Sequence, residues 1–528
     1  MIKIFSKIIK YLIVVFVVLL VLTIAGIGLR LRHIPQLRAW HTFIPNEMSA
    51  AEIDNATWEQ YIERENAVFA EVLREVVLDR PKSEQDFLNR FYKGSKVFPP
   101  SFDVDWNRSF LFVPENPVGA VVLLHGLTDS PYSLRHIGKL YYAKNFSVVG
   151  IRLPDHGTVP AALKKSHWTK WTAAARLAVR KAQTLKPEDK PLHIAGFSQG
   201  GALAIKYALE ALENPNLAMP DKLVLISPMA GITRLSRLIE IKAVLARIPG
   251  FQKALWISII PEFNPFKYNS FPVNGVRQAR LLISEMRRRI VRLHNSSKME
   301  NFPSTIAFQS IVDYTVSTPA LINNFFNYLP NNASELVLFD VNRDTVFMPL
   351  VRPIFLNMMS KLIPDLPQRY RITIVGNAGQ GDSEAVERTI APGALEYSVR
   401  RLGINYPPHV FSLSHISLPF PCYDALYGSA PDPETKNEFG INLGLVAGSH
   451  GERGVLEINT NMFFRISSNP LFPYIAMRIN EIIDGIDEPP QTIDMPHLPA
   501  RARITQRRHD AIMTIKVVEY SDVLDGLF

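Results

Sequence analysis

The stretch Leu192-His193-Ile194-Ala195-Gly196-Phe197-Ser198-Gln199-Gly200-Gly201-Ala202 decides the fold. An apolar run ends in Gly-x-Ser-x-Gly and passes straight into Ala202-Leu-Ala-Ile-Lys-Tyr-Ala-Leu209, a helix-forming run. Strand, tight turn and helix in that order present the serine hydroxyl at the tip of a sharp bend. Gly196 and Gly200 lack a Cβ, so strand and helix can pack closely around it. The helix that follows aims its free N–H groups at whatever the serine oxygen meets.

Outward from this turn, apolar runs alternate with helical ones. Upstream lie Ser109–Val113, a turn over Pro114–Gly119, and Ala120–Gly126, which ends in His125-Gly126. A helix to Lys144, the strand Ser147–Leu153 and a helix over Trp168–Leu185 follow. Downstream come the strands Lys222–Ser227, Ser304–Ile311 and Glu335–Asp340. This rhythm predicts an α/β fold with a mostly parallel sheet covered by helices on both faces.

Two stretches break the rhythm. Residues 233–302 are rich in Ile, Leu and Phe and carry Arg287-Arg288-Arg289; they read as a helical cap above the carboxyl edge of the sheet. Residues 342–408 read as a second insertion with one extra strand at Arg371–Val375, and His409–Ser414 as the last sheet-like run. The sheet domain is therefore expected over 108–421, with 422–528 a C-terminal extension packed on it and a helix at Tyr474–Ile486. Upstream, 30–107 reads as stalk and N-terminal helices. Trp58, Ile62, Val68, Phe69, Val72, Leu73 and Val76 recur at near-helical spacing within Ile44–Leu78, and Phe87–Val97 suggests another short helix.

Tyr11 to Leu29 is an uncharged run of 19 residues. At about 1.5 Å per residue it makes a helix about 28 Å long, which matches the hydrocarbon core of a bilayer. It is longer than the apolar core of a cleaved leader, so an uncleaved anchor is expected, with 1–10 as a cytoplasmic tail. Lys3, Lys7 and Lys10 precede it and Arg30, Arg32 and Arg38 follow, a near balance that leans to the N-terminus inside. The rest of the chain is then expected on the non-cytoplasmic side. The net charge of +9 over 528 residues comes without a Lys/Arg run interleaved with aromatics, which argues against nucleic acid; a membrane surface accounts for it better. The lone Cys422 excludes an intrachain disulfide and a cysteine zinc site. No His/carboxylate set has metal spacing, Gly376–Gly381 lacks the pattern of a nucleotide loop, and no cofactor is expected.

Taken together, His125-Gly126-Leu127, Gly196-Phe-Ser-Gln-Gly200, Asp313 with Val316 three residues on, and Ser414-His415 resemble the α/β-hydrolase superfamily. The likeness is to its monoacylglycerol lipase and carboxylesterase branch, which includes serine aminopeptidase-like members, and it spans about Phe110 to Pro421. Leu153-Pro-Asp-His-Gly157 also fits, with Asp155 where the branch more often has glycine.

The resemblance implies the chain order serine, acid, histidine, which leaves His409, His415, His450, His497 and His509 as bases, and Asp313 or Asp340 as acid. The implied set is Ser198 as nucleophile, His415 as base and Asp313 as acid, with His450 and Asp340 as the alternatives. The path from Asp313 to His415 is long for this branch, so 342–408 is expected to loop out. The backbone N–H groups of Gln199 and Leu127 would form the oxyanion hole, while His125 and His156 are structural. The implied activity is hydrolysis of carboxylic esters, acyl or lipid-like, through an acyl-enzyme. The same residues would also suit a peptidase, thioesterase or acyltransferase, or a tethered binding protein without catalysis.

Overall fold

The computed structural model describes residues 35–78, 84–231, 252–313, 315–342, 367–379, 382–446 and 465–486. It also describes a few isolated positions and the strands Ala502–Thr505 and Lys516–Glu519. The anchor expected at 11–29 lies almost wholly outside the described residues. Among those described, no helix is long and apolar enough to cross a membrane.

The strands are β1 (Phe110–Phe112), β2 (Gly119–Leu124), β3 (Phe146–Ile151), β4 (Leu192–Phe197) and β5 (Lys222–Ile226). They continue with the short β6 (Trp256–Ser258) and β7 (Phe271–Pro272), then β8 (Ser304–Ser310), β9 (Glu335–Asp340), β10 (Arg371–Asn377), β11 (Glu384–Ile390) and β12 (Tyr397–Asn405). Ten of them form one sheet in the order β1-β3-β2-β4-β5-β8-β9-β10-β11-β12. Every neighbouring pair from β3 through β10 is parallel; the pairs β1–β3 at one edge and β10–β11 and β11–β12 at the other are antiparallel. This is the α/β-hydrolase arrangement, with extra strands after β9.

Side chains alternate between two cores, as the two-residue period of a strand requires. Leu192, Ile194, Leu223 and Leu225 join one core with the helices Trp168–Thr184, Gln199–Ala211 and Val273–Asn295. Ala195, Phe197, Val224 and Ile226 join the other with Arg135–Ala143 and Phe472–Ile483. Both faces are buried, so β2, β3 and β4 are covered along their whole length.

Several expectations need correction. Of the cap expected over 233–302, residues 233–251 lie outside the described residues, and 252–302 are not a cap throughout. The helix Val273–Asn295 buries Ala279, Leu282, Met286 and Ile290 in the same core as Ala204 and Ala208 of the helix after Ser198, so it belongs to the layer covering the sheet. Among its described residues, the stretch between β6 and β7 meets the loops at the carboxyl edge, where Tyr268 contacts Thr128, Asp155 and Thr158. Nor do the described residues 371–405 of the insertion expected at 342–408 loop out, because β10 pairs with β9 in register and β11 and β12 continue the sheet. His409–Ser414 is not a strand. Side chains pin it instead, Ser310 Oγ donating to Leu413 O at 2.9 Å and Ser414 Oγ to Ile466 O at 2.6 Å. Phe87–Val97 forms turns rather than a helix. The helix expected within 44–78 is two, Ala50–Asn55 and Trp58–Val72, each opened by a capping box at Ser49 or Thr57.

A buried ion network fastens the N-terminal helices to the sheet. Arg152, 1% exposed, forks onto both oxygens of Glu47 at 2.7 and 3.0 Å and reaches Glu65 Oε2 at 3.0 Å. Glu65 in turn accepts from Ser109 N–H and Oγ–H.

Candidate active site

Ser198 stands between β4 and the helix Gln199–Ala211 with φ 55° and ψ −114°, a backbone that side-chain-bearing residues rarely adopt. The bend is held by its neighbours. A Cβ on Gly200 would lie 1.7 Å from Leu124 O, and one on Gly196 would lie 2.4 Å from Gly200 O. The end of β2 and the start of the helix are thus in backbone contact, which only glycine permits.

His415 comes from the loop after β12. Its Nε2 lies 3.0 Å from Ser198 Oγ and its Nδ1 2.8 Å from Asp313 Oδ2. With the proton on Nδ1, the imidazole donates to the carboxylate and accepts the serine O–H. The Phe197 ring stacks on the imidazole with centroids 5.3 Å apart. Asp313, in the loop after β8, uses both oxygens. Oδ2 also accepts from Ser227 Oγ and Gln309 Nε2, each at 3.2 Å, and Oδ1 accepts from Thr315 and Val316 N–H at 2.7 and 3.0 Å. Burial would push this carboxyl up, but the His415 charge, the His415 hydrogen bond and the two backbone donors outweigh it and hold it below its usual range.

Ser198, His415 and Asp313 are therefore brought together. Asp340 closes β9, His409 is exposed in its loop, and His450, His497 and His509 lie outside the described residues. Gln199 is the first residue of its helix, so its N–H has no helical carbonyl to meet. Gly126, just before Leu127, abuts the serine: a Cβ there would lie 3.3 Å from Ser198 Cβ. His125 accepts from Leu153 N–H at 3.0 Å and faces Gly126 O at 3.0 Å. Burial, and then the neighbouring His156, keep its pKa well below the ordinary histidine value. Among the described residues no cluster of His, Cys, Asp and Glu could hold a metal ion.

Sequence reasoning missed Ser227 and Gln309, the two side chains that steady Asp313. Ser227 carried one usable signal, a polar residue directly after an apolar strand, where it takes φ 43°.

Sheet order and elbow together give the α/β-hydrolase fold. The family described as "Serine aminopeptidase, S33" matches residues 115–266. A thermostable monoacylglycerol lipase from Bacillus sp. (strain H-257) is 24% identical over 190 residues, which cover 34% of this chain and 68% of that one. Among solved structures, a soluble variant of monoglyceride lipase from Saccharomyces cerevisiae is 14% identical, covering 44% of this chain and 81% of its own, at a TM-score of 0.34. One of two metagenome-derived lipolytic enzymes is 18% identical, covering 49% and 98%, at a TM-score of 0.36.

Proposed function

We propose that the protein is a serine hydrolase that cleaves carboxylic esters, acyl or lipid-like, with Ser198 as nucleophile, His415 as general base and acid, and Asp313 as the group that orients and charges the imidazole. One observation carries this reading: a single imidazole lies within hydrogen-bond reach of the serine hydroxyl on one side and a buried carboxylate on the other. The resemblance to monoacylglycerol lipases supports the ester substrate.

In the first half-reaction Ser198 Oγ bonds to the ester carbon while its proton passes to His415 Nε2. The carbon–alkoxy bond then breaks, and the same proton leaves with the alcohol. Water repeats the sequence against the acyl-enzyme, giving the acid and free Ser198. Throughout, Asp313 holds the proton-bearing Nδ1 in place and stabilises the imidazolium. The N–H groups of Leu127 and Gln199 would receive the developing oxyanion, each donor worth about 10² to 10³ in rate.

The proposal places the protein in a membrane, held by 11–29, with the hydrolase domain on the non-cytoplasmic side. The uncharged run supports this, as does the basic balance of the chain.

The test is a panel of p-nitrophenyl esters and monoacylglycerols together with a fluorophosphonate probe. Wild type should turn over esters and be labelled, and Ser198→Ala should do neither. Labelling without ester turnover, together with cleavage of aminoacyl substrates, would move the assignment to a peptidase. No labelling of folded protein would remove catalysis from the reading. Alkaline extraction of membranes tests the anchor: full-length chain should stay in the pellet and a chain lacking 1–34 should not.

A further inference from the structure

The stretch Asn264–Tyr268, between β6 and β7, fastens the turn that follows His125-Gly126 at three points. Tyr268 N–H donates to Thr128 O at 2.9 Å. The Phe266 ring stacks on Tyr132 with centroids 4.2 Å apart and planes 12° from parallel. Lys267 Nζ lies 3.0 Å from Asp129 Oδ1. The turn is itself unusual, since Thr128 sits at φ 69° without being glycine. The clasp is anchored behind by Asn107 Nδ2, which donates to Pro265 O at 3.0 Å, and by Arg90, which donates to Asn264 O at 3.3 Å.

Asp129 has an electrostatic consequence for the serine. The place a Cβ on Gly126 would occupy lies 2.8 Å from Asp129 Oδ2 and 3.3 Å from Ser198 Cβ. The carboxylate oxygen therefore lies within about 6 Å of Ser198 Cβ, close enough for its charge to act on one forming at the serine through poorly screening surroundings. Both side chains are nearly covered: Ser198 is 5% exposed and the Asp129 side chain 8%. An unanswered negative charge there opposes the negative charge that forms on a substrate oxygen during attack. Lys267 is the cation facing it, and it comes from a different segment of the chain.

We infer that Lys267 is a positioning residue for the reaction at Ser198: it neutralises Asp129 and pins the Leu127–Asp129 turn, so that the oxyanion forms beside a neutral, fixed wall. This rests on the reading of Ser198 as the nucleophile. Its energetic signature is specific. If Lys267 acts by answering Asp129, removing the carboxylate as well restores what removing the lysine took away. If the pair only braces the loop, removing both partners restores nothing.

The experiment follows fluorophosphonate labelling of the full-length protein under single-turnover conditions, separating the maximal inactivation rate from the concentration for half-saturation. In this reaction Ser198 Oγ bonds to phosphorus, fluoride departs, and the serine proton passes to His415. Lys267→Met should slow the maximal rate about 10- to 100-fold and leave half-saturation within about threefold, as loss of transition-state stabilisation does. Asp129→Asn/Lys267→Met should react at least tenfold faster than Lys267→Met, and Lys267→Arg should stay near wild type. Thermal melts confirm that each variant is folded, and Lys267→Gln repeats the test if the methionine variant is not. A Lys267→Met rate within about threefold of wild type, or a double variant as slow as the single, overturns the inference while labelling of wild type stands. Wild type that does not label overturns both.

Discussion

His415 Nδ1 and Asp313 Oδ2 are 2.8 Å apart although 102 positions separate them in the chain. The sheet makes this possible. Strands β10, β11 and β12 add to the edge beyond β9, and because β11 runs back and β12 runs forward again, the chain leaves β12 at the same carboxyl edge as β8. Asp313→Asn should lower kcat about 10³- to 10⁴-fold, because an amide no longer favours the tautomer that accepts the serine proton. Asp340→Asn should stay within about threefold of wild type. The reverse order in an ester assay would move the acid to the end of β9.

Gly200 is the backbone contact on which the bend depends. With Leu124 O only 1.7 Å from where a Cβ would lie, Gly200→Ala must push β2 and the elbow helix apart. The expected loss is about 4 kcal/mol or more, read as a large drop in Tm together with loss of fluorophosphonate labelling. Gly379→Ala is the control, since its Cβ would meet nothing within 4 Å. An unaltered melting curve for Gly200→Ala would mean that the elbow is not packed as described.

The central sheet and the elbow were legible because strands buried on both faces are unbroken apolar runs, such as Ala120–Leu124 and Lys222–Ile226. The extension was not. Glu384-Ala-Val-Glu-Arg-Thr-Ile390 reads as polar and carries no strand signal of its own. It is a strand because Arg400 of β12 meets Glu387 at 2.7 Å, a pairing that only the assembled sheet creates. Conversely, His409–Ser414 reads as a strand, yet it joins none of the described sheets and is held by Ser310 and Ile466 instead. At the site, the family resemblance pointed to Ser198, Asp313 and His415, with Asp340 and His450 as alternatives. Lys267 could not be found this way, because a lysine in a Pro/Asn-rich stretch gives no hint of the carboxylate it will face.

Acid should weaken the fold well above the range where carboxylates protonate. Burial comes first among the causes that lower the pKa of His41 to about 4, His136 to about 3, His156 to about 4 and His193 to about 3. An unfolded histidine takes its proton near 6.5, so between there and about 4 the unfolded chain binds more protons and stability falls as pH falls. Asp155, pushed up to about 6 by burial and Glu47, works in the opposite sense, since its contribution is present at low pH and lost as pH rises through 6. His125, held well below the ordinary value by burial, adds to the four, while burial also raises Glu262, Glu438 and Glu481 on the side of Asp155; the histidines shift further and set the sign, and the loss by pH 4 should be on the order of several kcal/mol. Tm should decline steadily from pH 7 to 4.5 at fixed salt; a flat profile would show that these imidazoles are reached by water.

Arg478 ties β9 to the helix that covers the sheet beside it. Its guanidinium forks onto Glu335 of β9 at 3.0 and 2.7 Å, and its Nε lies 2.7 Å from Glu481. Side-chain exposures of 5% for Arg478 and 5% for Glu335 leave little water to take over. Burial alone would push the Glu335 carboxyl up, and the Arg478 charge and hydrogen bonds, with that of Thr373, bring it below the usual range. Arg478→Met keeps most of the volume but strands that carboxylate, so it should destabilise by about 3 to 5 kcal/mol in urea melts. Glu335→Gln/Arg478→Met should recover much of the loss, because position 335 then carries no charge and Glu481 still has Arg400 at 3.7 Å. If the double variant is as unstable as the single, packing of the arginine stem rather than its charge holds helix Phe472–Ile483 to the sheet.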